Sequence, residues 1–131
     1  MSAPLTILLV DDDPCERIFL EDALEEIDCT ATLEHRECGR DALDLLRRER
    51  PEIMVLDLRM PGMTGFEVLK AVRARQELDT MKICVVSNSM IEADRKTALA
   101  MGAQDYRVKP ISSDGYAVLA RDVCALARCC G

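Results

Sequence analysis

Five short apolar runs alternate with five longer stretches of helical period, and this alternation constrains the fold more than any other feature of the chain. The runs are Leu5 to Val10, Thr30 to His35, Ile53 to Leu58, Lys82 to Ser87 and Asp105 to Lys109. The first, third and fourth are almost continuously apolar, as strands covered on both faces must be; the second and fifth are mixed and read as nearer the sheet edges. Between them, Pro14 to Ile27 repeats apolar residues at Ile18, Phe19, Ala23, Leu24 and Ile27, behind an Asp13-Pro14 start that supplies a cap and a first-turn proline. Arg40 to Arg50 is stopped by Pro51, and Gly65 to Arg75 follows a Thr64/Glu67 capping box. A shorter helix runs from about residue 91 to Met101 and ends at Gly102, and a last one spans about Ser113 to Arg128.

A β-α alternation of this regularity predicts an α/β fold: a doubly wound parallel sheet with right-handed crossovers and helices on both faces. The 131 residues suit one domain, taken as 1–131 with its core in 5–128. Such a sheet places its ligand site outside the carboxyl ends of the strands, where the strand order reverses.

Those ends are polar. Asp11, Asp12 and Asp13 follow the first run, Asp57 lies near the end of the third, Ser87 and Asn88 finish the fourth, and Lys109 with Pro110 finish the fifth. Neighbouring acids in a partly dry site repel one another by about 1 kcal/mol or more per pair, and call for a cation. Oxygen-only ligands point to a hard divalent ion in the manner of Mg²⁺. Asp13 is accounted for as a helix cap, whereas Asp57 interrupts an apolar strand, where a carboxylate is rare unless paired or liganded. Held beside a metal ion and a lysine, it stays ionised and can attack phosphorus to give an aspartyl phosphate. Lys109 would pair with one phosphoryl oxygen and the Ser87 hydroxyl would bond another. The residues alone leave three readings open: a phosphorylated switch, a small Mg²⁺-dependent phosphatase with the same intermediate, and a docking module that uses no phosphate.

Charge and composition narrow the partners. There are 24 acids against 17 Lys and Arg, a net charge of -7, which opposes non-specific binding to nucleic acid or to anionic membrane. Aromatics are only 3%, too few for a base-stacking platform. No apolar run approaches the roughly 20 residues that cross a bilayer. The seven cysteines show no C-x-x-C pairing, and the start lacks a secretory leader, so reduced thiols in the cytoplasm are expected. Cys84 reads as a small core residue, and Cys129 and Cys130 as a frayed end.

The segments "ILLVDDD", "MVLDLRMPGMTGFEVL", "VVSNS" and "ALAMGAQDYRVKP", in this order, resemble the receiver domain of two-component response regulators, the CheY-like fold, from Leu5 to about Arg128. The resemblance implies a flavodoxin-like three-layer sandwich with strand order 2-1-3-4-5, and a phosphoacceptor switch rather than an enzyme acting on others. It implies that Asp57 is the phosphoacceptor, that Asp11 and Asp12 are the acidic pair that binds Mg²⁺, and that the Arg59 backbone carbonyl is a third metal contact. Ser87 matches the hydroxyl that meets the phosphoryl group, Tyr106 the aromatic switch residue, and Lys109 the invariant lysine, with a Lys109-Pro110 bond that family members commonly hold cis. The donor would be a sensor histidine kinase or a histidine phosphotransfer protein, with phytochrome-type kinases suggested by "VVSNS…DR" and the last helix. The chain resembles single-domain members that signal by protein contact without a DNA-binding output domain. Two departures stand out: Arg59 where Asn is common, expected to alter both phosphorylation and hydrolysis, and Asn88 where a small residue is common, expected to restrict Tyr106 or to hydrogen-bond near the phosphate.

The final helix carries Tyr116, Ala117, Leu119, Ala120, Val123, Cys124, Leu126 and Ala127, a stripe wider than one sheet contact needs. Two expectations follow, small residues at the core margin or a homodimer packed through Leu119 and Val123.

Overall fold

The computed structural model describes residues 4–128, so Cys129 and Cys130 lie outside the described residues. Its strands are β1 (Leu5–Val10), β2 (Ala31–Arg36), β3 (Ile53–Leu56), β4 (Lys82–Ser87) and β5 (Asp105–Val108). They form one five-stranded sheet in the order β2-β1-β3-β4-β5, parallel throughout. The helices are α1 (Pro14–Glu26), α2 (Gly39–Leu45), α3 (Gly65–Arg73), α4 (Glu92–Ala100) and α5 (Ser113–Ala127), with a 3-10 turn at Gln76–Leu78 after α3. The doubly wound α/β architecture and the order 2-1-3-4-5 are therefore as expected.

Two apolar layers sandwich the sheet. Alternate residues of each central strand feed opposite layers: Leu8, Val10, Met54, Leu56, Ile83 and Val85 join α2 and α3 on one side. Ile7, Leu9, Ile53, Val55, Cys84 and Val86 join α1 and α5 on the other. This period of two with both phases buried is why these runs read as continuously apolar. Burial pushes the Cys84 thiol up to about 12, the behaviour of an inert core residue.

Local signals set the helix starts. The Asp13 side chain accepts from the Cys15 N–H with Pro14 in the first turn, Thr64 and Glu67 form a reciprocal capping box, and Ser112 accepts from the Gly115 N–H. Gly102 takes the left-handed φ of 108° that ends α4.

The differences from expectation lie at element ends and on helix faces. Helix α2 closes at Leu45, where Arg47 and Arg48 turn back as N–H donors to the Asp44 and Leu45 carbonyls. Helix α3 closes at Arg73, before the 3-10 turn. In α1 the inward residues are Glu16, Leu20, Ala23 and Leu24, while Ile18 and Phe19 are 55% and 45% exposed. In α5, Leu119 and Val123 are buried in the sheet layer, and the exposed large apolar side chain is Val118. A homodimer through Leu119 and Val123 is thus denied its anchors. No peptide bond among the described residues is cis, so Lys109-Pro110 is trans, the form an X–Pro bond ordinarily prefers; in it the Lys109 ammonium still reaches the carboxylates.

Candidate phosphoryl-acceptor site

The sheet's hydrogen bonding runs one residue past three strands and fixes the residues just beyond them. The Asp11 N–H donates to Arg36 O (3.1 Å), the Asp57 N–H to Val10 O (2.9 Å), and the Lys109 N–H to Ser87 O (2.9 Å). Asp11, Asp57 and Lys109 are therefore held by the sheet while their side chains project from its carboxyl edge. Asp57 sits one residue beyond β3 rather than within it. The turn that follows is set by Gly65, whose N–H donates to Leu58 O (2.9 Å). A Cβ there would lie 2.6 Å from Leu58 Cα and against the Asp57 carbonyl oxygen, so no larger residue lets α3 begin so close to Asp57.

At this edge one ammonium faces three carboxylates. Lys109 Nζ is 2.9 Å from Asp11 Oδ2, 3.5 Å from Asp57 Oδ2 and 4.0 Å from Glu16 Oε1. Asp11 and Asp57 are buried, and carboxylate oxygens of Asp11, Asp12 and Asp57 all lie within 4.8 Å of one another. Burial, and then the neighbouring Asp11 charge, hold the Asp57 carboxyl above its ordinary range despite Lys109. Burial works to lower the Lys109 ammonium, but the bond to Asp11 and the charges of Asp57 and Glu16 outweigh it and leave it raised. The site thus carries an excess of negative charge and an all-oxygen donor set, which fits a hard divalent cation held by Asp11, Asp12 and Asp57.

Two flanks enclose this centre. On one, Tyr116 O–H on α5 lies 2.8 Å from both carboxylate oxygens of the buried Glu16 on α1. Burial raises the Glu16 carboxyl, more than the Tyr116 bond and Lys109 lower it. On the other flank, Tyr106 is turned inward and its O–H donates to Ser89 O (2.8 Å). The Ser89 hydroxyl donates to Asp94 Oδ2 (2.6 Å), which also accepts from Arg59 (2.7 Å). Ser87 is fully buried and its Oγ accepts from the Ser89 N–H (3.3 Å).

Of the residues singled out from sequence, Asp11, Asp12, Asp57 and Lys109 come together, and Ser87 and Tyr106 stand on the β4–α4 flank. The Arg59 backbone N–H donates to Asp57 Oδ1 (3.4 Å), while its side chain reaches α4. Asn88 is exposed and borders a groove lined also by Asp13, Phe19, Lys109 and Ile111. The sequence reading missed Glu16, Tyr116 as its partner, Ser89, Asp94 and His35, whose Nε2–H donates to Asp11 O (2.8 Å). One signal was present: Glu16 stands four, seven and eight residues before the buried Leu20, Ala23 and Leu24, an acid on the apolar face of the helix.

A parallel sheet in the order 2-1-3-4-5 carries a cluster of acids and a lysine at its carboxyl edge, the architecture of the CheY-like α/β sandwich. The profile of the response regulator receiver domain family matches residues 7–118, and the chain belongs to that family. It is 38% identical over 109 residues to an uncharacterised 14.6 kDa protein of Leptolyngbya boryana, covering 83% of this chain and 82% of that one. It is 31% identical over 108 residues to the protein PilH of Pseudomonas aeruginosa, covering 82% and 88%. Among solved structures it resembles the chemotaxis response regulator CheY4 of Vibrio cholerae, with TM-score 0.80 and 26% identity over 92% of this chain and 99% of that one. A phosphorylated cyanobacterial phytochrome response regulator, RcpA, shares the fold with TM-score 0.84 and 23% identity over 92% and 91%. As a receiver domain the chain is not a classical catalytic enzyme. No helix among the described residues is long and apolar enough to cross a membrane.

Proposed function

We propose that this receiver takes a phosphoryl group on Asp57 from the phosphohistidine of a sensor histidine kinase or a histidine phosphotransfer protein, as a single unit over 1–131 that signals through protein contacts. The observation that carries the reading is a buried Asp57 carboxylate 3.5 Å from Lys109 and clustered with Asp11 and Asp12. An Asp57 oxygen attacks phosphorus as the bond from phosphorus to the donor imidazole breaks, and the imidazole leaves with the electron pair. Lys109 is close enough to exchange a carboxylate for a phosphoryl oxygen, and the Ser87 hydroxyl is the donor we assign to a second one. Asp11, Asp12, Asp57 and the Arg59 carbonyl are the groups we assign to Mg²⁺, which when bound offsets carboxylate charge and charge on the transferring group. The likeness to the phytochrome regulator is one of fold, so the sensor that addresses this chain is set by contact surfaces and not by that likeness.

Incubation with acetyl phosphate and Mg²⁺ tests the reading. One phosphoryl adduct, lost in Asp57→Asn and after chelation, is expected. Turnover of many phosphoesters would favour the phosphatase, and no adduct would favour docking alone. An adduct that persists in Asp57→Asn overturns the assignment.

A further inference from the structure

At the opposite end of the sheet from the phosphorylation site, Cys29 follows α1 and Cys124 lies in α5. The main chain at Cys29 is fixed on both sides: Asp28 takes a left-handed φ of 58°, and the Cys29 N–H donates to Leu24 O (2.9 Å). The next residue, Thr30, accepts from the Leu5 N–H (3.1 Å) at the start of β1. Cys124 is carried by a helix whose neighbours Ala120 and Val123 are buried in the sheet layer. These two anchored positions bring the thiol sulfurs to 2.7 Å, across 95 residues of chain. A disulfide bond is about 2.0 Å long, so bond formation asks for little motion from either element. Neither sulfur is bonded to another.

We propose that Cys29 and Cys124 are a site of oxidative modification, forming an intramolecular disulfide when the chain meets a peroxide. Cys29 borders an open groove with Glu21, Leu24, Glu25 and Thr30, so the oxidant reaches it first. Burial, then the adjoining Cys29, push the Cys124 thiol up to about 12, which suits it to the resolving role and not to the first attack on the peroxide. The Cys29 thiolate sulfur attacks a peroxide oxygen, the O–O bond breaks, and hydroxide leaves to give a sulfenic acid. The Cys124 sulfur then attacks the Cys29 sulfur, the S–O bond breaks, and the departing hydroxide carries off the Cys124 proton as water. In sum two thiols and one hydrogen peroxide give a disulfide and two waters, the thiol pair supplying two electrons.

The bridge ties α5 to the turn between α1 and β2, and by closing a long loop it restricts the unfolded chain. Its effect falls on stability, because the carboxylates and Lys109 project from the other edge. The experiment uses the full chain and a Cys129→Ser/Cys130→Ser variant, which excludes the terminal pair, each treated with one equivalent of hydrogen peroxide. Expected are the loss of two hydrogens in intact mass, a Cys29–Cys124 linked peptide after digestion, and a higher melting temperature that dithiothreitol reverses. The rate of labelling by acetyl phosphate should change less than twofold. In Cys124→Ser, Cys29 should halt at the sulfenic acid and be trapped by dimedone; in Cys29→Ser no bridge should form. Oxidation of the exposed Cys15 with Cys29 and Cys124 both still free would overturn the proposal, as would linkage of Cys29 to any other cysteine.

Discussion

The two flanks of Lys109 are built to different standards. On the α1–α5 flank a buried tyrosine hydroxyl meets a buried carboxylate at 2.8 Å, and the aromatic ring packs on Phe19 with centroids 5.2 Å apart. On the β4–α4 flank the chain of contacts from Tyr106 through Ser89 to Asp94 ends in Arg59, whose side chain is 60% exposed. The contacts of the second flank end in water at Arg59, whereas those of the first lie between two buried side chains at the floor of the groove that Asn88 and Lys109 border. The proposed switch would be served by one wall that holds Lys109 in place and one whose contacts exchange at small cost. The difference in burial supplies both without any difference in hydrogen-bond length.

Removing one hydroxyl from the buried wall is the harshest test of that contrast. Tyr116→Phe leaves the ring in place but deprives the Glu16 carboxylate of its donor, and a hydrogen bond to a buried charged group contributes about 2 kcal/mol. Urea unfolding at pH 7 should show a loss of that size with an unchanged slope. A loss as small as that of a surface substitution would mean that Glu16 is solvated and that the two flanks do not differ.

The same contrast separates what the sequence displays from what it conceals. The parallel sheet and the meeting of Asp11, Asp12, Asp57 and Lys109 follow from strand ends, because a parallel sheet sends the ends of neighbouring strands to one edge, while the strand order is what the resemblance to the receiver family implies. Asp57 was read as part of its strand, yet pairing stops at Leu56, and only the N–H bond to Val10 O carries the sheet on to it. The buried wall was hidden because Glu16 counts as polar in any periodicity. Ile18 and Phe19 were drawn into the core in place of Glu16 and Leu20, a rotation of the α1 face that hydrophobicity alone cannot detect when an acid faces inward. The last helix shows the same limit from the other side: a wide apolar stripe does not say that Leu119 and Val123 are packed beneath it while Val118 is outside. The Arg59–Asp94 contact joins a loop to a helix 35 residues away, and no local pattern encodes it.

The charge on the buried wall gives a subtler test. Burial is the main reason that Glu16 titrates above its unfolded value, so the folded state holds the proton more tightly than the unfolded chain does. The sign follows: the stability linked to this group is fully present below its unfolded value of about 4.5 and is lost as pH rises through the raised folded value. Glu16→Gln removes the titration and keeps an oxygen for Tyr116. The variant should therefore gain on the parent at pH 7 and lose that advantage as pH falls toward 4.5, by less than the Tyr116→Phe effect. Melting curves at both pH values check it, and a constant difference between parent and variant would show that Glu16 does not carry the linkage.

Arg59→Ala, on the exposed flank, should have the smallest effect on stability. The Arg59–Asp94 pair is short at 2.7 Å, but its cation is mostly in water, where exposed pairs contribute about 0 to 1 kcal/mol and fade with salt. Asp94 also keeps a second donor, the Ser89 hydroxyl at 2.6 Å, so the variant leaves no buried group unsatisfied. The unfolding free energy should fall by at most about 0.5 kcal/mol, and the difference should vanish near 1 M salt as the screening length contracts to about 3 Å. The amide signals of Ser89 and Asp94 should shift while those of Glu16 and Tyr116 stay in place, since the Arg59 side chain bonds Asp94, which bonds Ser89, while Glu16 and Tyr116 bond each other. Loss of stability comparable to Tyr116→Phe, or amide shifts spread evenly across both flanks, would show that Arg59 braces the whole site.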